Sequence, residues 1–298
     1  MSDPGLWDRV FNFADYTELL GLVHNSIIAG AVLGLIGGLI STFVMMRDMP
    51  FAVHGISELS FAGASGALLV GANVVLGSLI GSILAALLIG VLGSRARDRN
   101  SIIGVLMPFG LGLGVLFLAL YQGRSANKFG LLTGQIVAVD TPQLSWMLVT
   151  STVVLIGLLV IWRPLAFASV DPELAAGRGV PVAALSSVFM LLLGLTVAMS
   201  VQIVGALLVL SVVVTPAAAA MRVTASPPLV TLLSVVFAVG SVVGGILLAL
   251  GSSVPISPYV TTISFTIYIV CRVLGARRQR RGWATVGRVE APLSAAAR

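Results

Sequence analysis

Charge is scarce in this 298-residue sequence: aspartate, glutamate, lysine and arginine together supply 9% of it. Soluble domains carry about a quarter charged residues. With 58% hydrophobic residues and a mean hydropathy of +1.08, the chain could not cover its apolar surface in water, so its solvent is lipid. Cysteine is reduced to Cys271, which excludes an intrachain disulfide and a closed thiolate cluster for zinc. No G-x-x-x-x-G-K-[ST] loop occurs, so ATP binding of the P-loop kind is excluded for this chain. Residues 1 to 20 are acidic and polar without an apolar core, so no cleavable signal is expected there. Aromatics are sparse at 7%, whereas glycine is plentiful at 33 residues, as expected where helices pack through small side chains in a bilayer. The net charge of +6 comes from arginines in short loops and the tail, a distribution that reads as membrane topology and not as a nucleic-acid surface.

A bilayer core needs about 20 apolar residues per helix. Nine runs qualify as candidate spans, roughly 21 to 46, 50 to 71, 73 to 94, 101 to 121, 144 to 162, 181 to 201, 203 to 221, 228 to 250 and 257 to 274. The expected fold is an all-α polytopic membrane protein with about eight to nine transmembrane helices. Three segments follow: residues 1–20, residues 21–275 as the membrane domain, and a basic tail over 276–298. In the first, Leu6, Trp7, Val10, Phe11, Phe13 and Ala14 recur at helical spacing, which suits either an interfacial helix or a loosely ordered terminus. Arg95, Arg97, Arg99, Arg163, Arg178 and Arg222 mark cytoplasmic turns. Arg272, Arg277, Arg278, Arg280 and Arg281 then place the C-terminal tail in the cytoplasm, and a basic tail of this kind also suits contact with anionic lipid.

Ionisable groups at bilayer depth cost several kcal/mol by most scales, about 3 kcal/mol on the mildest. Ten of the 11 acidic residues lie in terminal segments or loops, and the eleventh is Glu58. Of the two histidines, His54 lies in the same candidate span. Four residues apart, the two project from one helix face, about 12 Å into the core if that span starts near Pro50. Ser57, Ser60, Ala62, Gly63, Ala64, Ser65 and Gly66 around them are small, leaving room for a neighbouring helix or a hydrated passage. An imidazole and a carboxylate are donors that zinc or manganese accepts. The same spacing also suits a hydrogen bond that holds two helices together, or a proton relay, and spacing alone does not choose.

Four segments together resemble the permease family of zinc and manganese ABC transporters: MMRDMPFAVHGISELSFAGASG (Met45 to Gly66), LLTGQIVAVD (Leu131 to Asp140), WRPLAFASVDPELAAGRGVPV (Trp162 to Val182) and VGALLVLSVVVTPAAAAMRVT (Val204 to Thr224). Their order and separations cover most of residues 20 to 275. One departure is informative. Where the family has Asp and, four residues on, His, this chain has His54 and Glu58, so the two donor chemistries are exchanged along the same face.

The resemblance implies a type II-like ABC importer permease, a non-catalytic subunit that binds no cofactor of its own. ATP would be hydrolysed on a separate ATPase subunit. The cargo would be a divalent transition metal, zinc first and manganese as the alternative. Two copies would form a homodimer in a bacterial-type inner membrane, with His54 and Glu58 of each forming a mid-membrane transit site. Coupling to the ATPase would use Pro216 to Pro228 with Arg222, or else Asp171 to Gly179 with Glu173. An extracytoplasmic metal-binding protein would dock on loops including Arg124 to Asp140 and Ser252 to Pro258. A proton-coupled secondary transporter of a metabolite is the competing class, and it would show internal repetition, of which the sequence has no convincing trace. An intramembrane metal hydrolase would need more ligands than one helix supplies here, since catalytic zinc sites usually have three protein ligands.

Overall fold

The computed structural model describes residues 20, 23–92, 96–134, 139, 141–250 and 255–289, with side chains for all of these but 96–99, 125–127, 129, 207 and 278–289. The suggested interfacial helix over 5–20 lies outside the described residues except for Leu20. So do Arg95, Asp140 and the side chains of Arg97, Arg99, Arg278, Arg280 and Arg281.

Among the described residues eight long helices make the body: α1 (His24–Met46), α2 (Pro50–Leu69), α3 (Val74–Leu92), α4 (Ala96–Leu120), then, after a short α5 (Ser125–Thr133), α6 (Thr141–Val170). A six-residue α7 (Pro172–Gly177) leads into α8 (Val182–Val204). The chain then breaks into a 3-10 turn (Ala206–Leu208), α9 (Val209–Val213) and α10 (Thr215–Val223), before α11 (Pro227–Leu250) and α12 (Ile256–Val289). Seven of the long helices are apolar enough to cross a bilayer. The eighth, α2, has the length at 20 residues, but its serines, His54 and Glu58 dilute its hydropathy.

The candidate span over 203–221 is therefore not one helix. Gly205 stands at a φ of 85°, and a Cβ there would strike the carbonyl oxygen of Leu132. Val214, at φ −125° and ψ −52°, interrupts the run a second time just before Thr215 and Pro216. The turn at Gly205 is closed by Ser257, whose hydroxyl donates to the carbonyls of Val204 (2.7 Å) and Thr133.

Small residues set the packing, because lipid supplies no hydrophobic force between helices and contact depends on close backbone approach. On α1, Gly30, Gly34 and Gly38 recur every fourth residue. A Cβ on Gly34 would come within 2.6 Å of the Cα of Val239 on α11, and one on Gly38 within 2.5 Å of the Cα of Val235. Where α2 meets α3, a Cβ on Gly63 would strike the carbonyl of Gly77, and one on Gly81 that of Leu59. Hydroxyls add rungs: Ser60 and Ser78 lie 2.8 Å apart across α2 and α3, and Ser78 donates to the Ala198 carbonyl of α8 at 3.4 Å. Thus α2 is enclosed mainly by α3 and α4, with α8 and α9 also against it. The outer wall is different in character. Leu76, Ile80 and Leu84 of α3, Phe109 and Val115 of α4, and Val153, Ile156 and Val160 of α6 are all exposed, a surface suited to lipid tails.

Candidate transit site and its surroundings

α2 starts where its sequence says it should. Pro50 occupies the first turn, where a missing amide costs nothing, and Asp48 in the preceding turn takes a left-handed φ of 52°. Four residues into the helix, His54 keeps 28% of its side chain accessible; one turn deeper, Glu58 keeps 4%. His54 Nε2 stands 3.6 Å from Glu58 Oε1, close enough for attraction but long for a hydrogen bond. The second carboxylate oxygen, Oε2, is buried with no hydrogen-bond partner among the described residues. An unpaired buried carboxylate oxygen is expensive, and buried charges are normally paired or bound to metal. The backbone here is tightly set: a Cβ on Gly110 of α4 would lie 2.9 Å from the carbonyl carbon of Glu58 and from the Leu59 nitrogen. On the other flank, Ser57 donates to the Ala206 carbonyl at 2.8 Å.

The structure thus brings His54 and Glu58 together one turn apart on α2, one donor reachable and the other recessed. Among the described residues no cluster of three His, Cys, Asp or Glu side chains could hold a metal. Two donors suit a cation that is passed on and not one that is kept.

The residues expected to couple to an ATPase lie on two short helices elsewhere. Asp171 caps α7, its Oδ1 accepting from the Leu174 amide at 2.9 Å, while Glu173 is exposed in the first turn. On α10, Pro216 is buried in the first turn and Arg222 is exposed in the last. The Arg222 guanidinium lies 6.0 Å from the ring of Tyr268 on α12, and its Nη2 donates to that phenol at 3.5 Å. Arg47, at the end of α1, is held by Ser169 of α6 at 3.4 Å, by Ser186 of α8, and over the Phe189 ring at 5.8 Å. Phe43 stacks edge-on against Trp162 at 4.8 Å beside it. Sequence reasoning treated Arg47 only as a basic residue in a motif; its partners Ser169, Ser186 and Phe189 lie on two other helices.

At the opposite end of α2, a cleft of about 430 Å³ opens between Leu68, Asn73, Gln143, Trp146 and Gln202. The Gln202 Oε1 atom is buried there without a hydrogen-bond partner among the described residues.

Comparison with known proteins agrees with the helical membrane fold. The family model described as "ABC 3 transport family" matches residues 20–275. The manganese transport system membrane protein MntC of Halalkalibacterium halodurans is 28% identical over 257 residues, 86% of this chain and 88% of that protein. The high-affinity zinc uptake system membrane protein ZnuB of Haemophilus influenzae is 24% identical over 250 residues, 84% of this chain and 96% of its own. Among solved structures, PsaBC from Streptococcus pneumoniae in complex with Fab superposes with a TM-score of 0.76 at 24% identity, covering 87% of this chain and 95% of that one.

Proposed function

Because the chain belongs to the ABC 3 transport family, as a permease subunit whose ATP is hydrolysed by a separate protein, we propose that it carries a divalent transition metal through the membrane past His54 and Glu58. The observation that supports this reading is the Glu58 Oε2 atom, buried and unpartnered beside an accessible imidazole. In a homodimer, two copies would present two imidazoles and two carboxylates. Two carboxylate charges neutralise a dication, and four donors replace much of its hydration shell where water is scarce.

Zinc is the first reading, since an imidazole in the donor set suits a borderline-soft ion. Manganese is the second, favoured by the 28% identity to a manganese transport protein. The arginine-bearing helix ends and the C-terminal tail would face the cytoplasm. There the ATPase would meet α10 through Arg222 and Pro216, with α7 and its Asp171 and Glu173 as a second contact. The membrane domain is assigned to residues 21–275, and residues 276–298 to the basic tail. A metal-binding protein would deliver its ion at the opposite end, where the cleft lined by Asn73, Gln143 and Gln202 opens.

The test is reconstitution in proteoliposomes with the ATPase and the loaded binding protein. Glu58→Ala and His54→Ala should each abolish metal uptake, as expected when an ionisable residue kept at membrane depth for the cation's passage is lost, while the complex still assembles. Uptake at the native rate in both variants would remove the pair from the pathway. Competition between zinc and manganese in the same vesicles decides the cargo.

A further inference from the structure

Both ends of the interrupted segment between α8 and α10 are held by serine hydroxyls from the first two helices. At one end Ser57, the residue before Glu58, donates to the Ala206 carbonyl at 2.8 Å. At the other, Ser41 of α1 donates to the Val214 carbonyl at 3.3 Å and accepts from the Ala217 amide at 3.1 Å. Both serines are fully buried, at 0% exposure.

The need for Ser41 follows from the start of α10. The first amides of a helix have no partner within it, and a side chain at the N-cap usually supplies one. Here the N-cap residue is Val214, which has no acceptor to offer, and Pro216 has no amide. Ala217 is the next amide, and its cap comes from a different helix. Several buried hydroxyls turn back on their own helix, Thr196 donating to Leu192, Ser200 to Thr196 and Ser241 to Phe237, each four residues back, whereas Ser78, Ser257 and Ser264 cross to another element. Ser41 and Ser57 reach from α1 and α2 to a stretch whose own helical bonding is broken. The five residues of α9 between them form a strut fixed at one end to the α2 turn that carries Glu58 and at the other to α1 at the mouth of α10, with Ser264 of α12 donating to the Ser211 carbonyl in its middle at 2.8 Å.

We propose that Ser41 and Ser57 are positioning residues of the transport cycle, the two clasps through which a displacement of α10 is delivered to the metal ligands on α2. The proposal rests on the reading of α10 as the ATPase contact. Hydrogen bonds are short and directional, so a shift of α10 must either carry Val214 and Ala217 with Ser41 or break both bonds. With the clasps intact, ATP-driven motion at α10 moves the strut, and the strut moves the backbone that aims Glu58. Without them the ATPase works against a segment that slips.

The experiment uses the whole transporter in proteoliposomes, with ATP hydrolysed and metal imported read in the same sample. Ser41→Ala and Ser57→Ala should each retain ATP hydrolysis within about twofold and lower the metal carried per ATP by about tenfold, the scale of one lost buried hydrogen bond. Ser41→Thr, which keeps a hydroxyl, should restore the ratio. The double variant should fall no further than the worse single one, because the clasps act in series. A purely structural role would reduce the amount of assembled complex and leave the ratio unchanged, and that result overturns the proposal, as does a proportional fall of import and hydrolysis. If Ser41→Ala does not assemble, Ser57→Ala, which frees only one carbonyl, carries the test. The reading of α10 is checked separately by crosslinking Met221→Cys, at an exposed position, to the ATPase in a Cys271→Ala background. Failure of the crosslink overturns that contact, whereas a formed crosslink with an unchanged ratio overturns the clasps.

Discussion

At Glu58, function and stability are set against each other. A carboxylate recessed in the bundle with one oxygen unpaired raises the energy of the folded chain, and replacing such a group with an apolar side chain of similar size often stabilises by about 1–4 kcal/mol. Glu58→Leu should therefore raise the thermal unfolding midpoint of the detergent-purified protein while abolishing metal uptake; a lowered midpoint would mean that the carboxylate is satisfied in the resting state. Asp171 behaves in the ordinary way. Its carboxylate caps α7, so Asp171→Ala should cost about 1 kcal/mol locally and speed hydrogen exchange at the Leu174 amide. The two donors of the proposed site were legible in the sequence because any ionisable residue inside an apolar run stands out against its neighbours. Ser41 was not. A serine is tolerated anywhere in a membrane helix, and only the folded arrangement shows that its acceptor and donor lie on a helix 173 to 176 residues away. Arg47 was visible as a basic residue at a helix end, but its partners on α6 and α8 were not, since nothing local ties Ser169, Ser186 and Phe189 to it.

Among the elements, the long helices follow the hydropathy of the sequence within a few residues at most ends, and the departure falls where hydropathy is blind. Residues 203 to 221 are uniformly apolar, and an apolar average does not register a break in backbone hydrogen bonding. The breakers were present in the letters: Gly205, then Thr215 before Pro216. Their effect is testable. Gly205→Ala would force a β-carbon into a left-handed backbone and against the Leu132 carbonyl, and strain of that kind alone costs about 1–3 kcal/mol. The yield of monodisperse protein should fall sharply. Gly104→Ala on α4 is the control, because a β-carbon there meets nothing within 4 Å of the same chain. Size-exclusion profiles of the two variants should differ, and equal profiles would show that the turn at Gly205 adapts. α2 was expected from Pro50 to about residue 71, and it ends at Leu69 with Val70 and Gly71 in the closing turn.

For the whole molecule, the proposed topology follows from arginines expected on one side of the bilayer, among them Arg163, Arg178, Arg222 and Arg272. A reporter active only in the cytoplasm, fused after residue 298, should be active, and one inserted in the loop near Arg124 should be silent; the reverse pattern would invert the proposed orientation. The general class, an all-helical membrane protein of about eight long helices, was readable from composition and run length because a bilayer imposes both. How α2 comes to be enclosed by α3 and α4 was not, since glycine contacts such as Gly63 on Gly77 depend on which helices meet and not on how apolar each one is.

The aromatic cluster of Phe43, Trp162 and Phe189 has a practical use. Trp162 lies edge-on to Phe43, whose ring also meets, at 6.0 Å, the Phe189 ring beneath the Arg47 guanidinium. Indole emission responds to the packing of neighbouring rings, so Trp162 is a built-in optical gauge of this cluster. Exchanging Trp7, Trp146 and Trp283 for phenylalanine would leave it as the sole emitter, and its spectrum could then be followed through nucleotide binding, hydrolysis and release without attaching any dye.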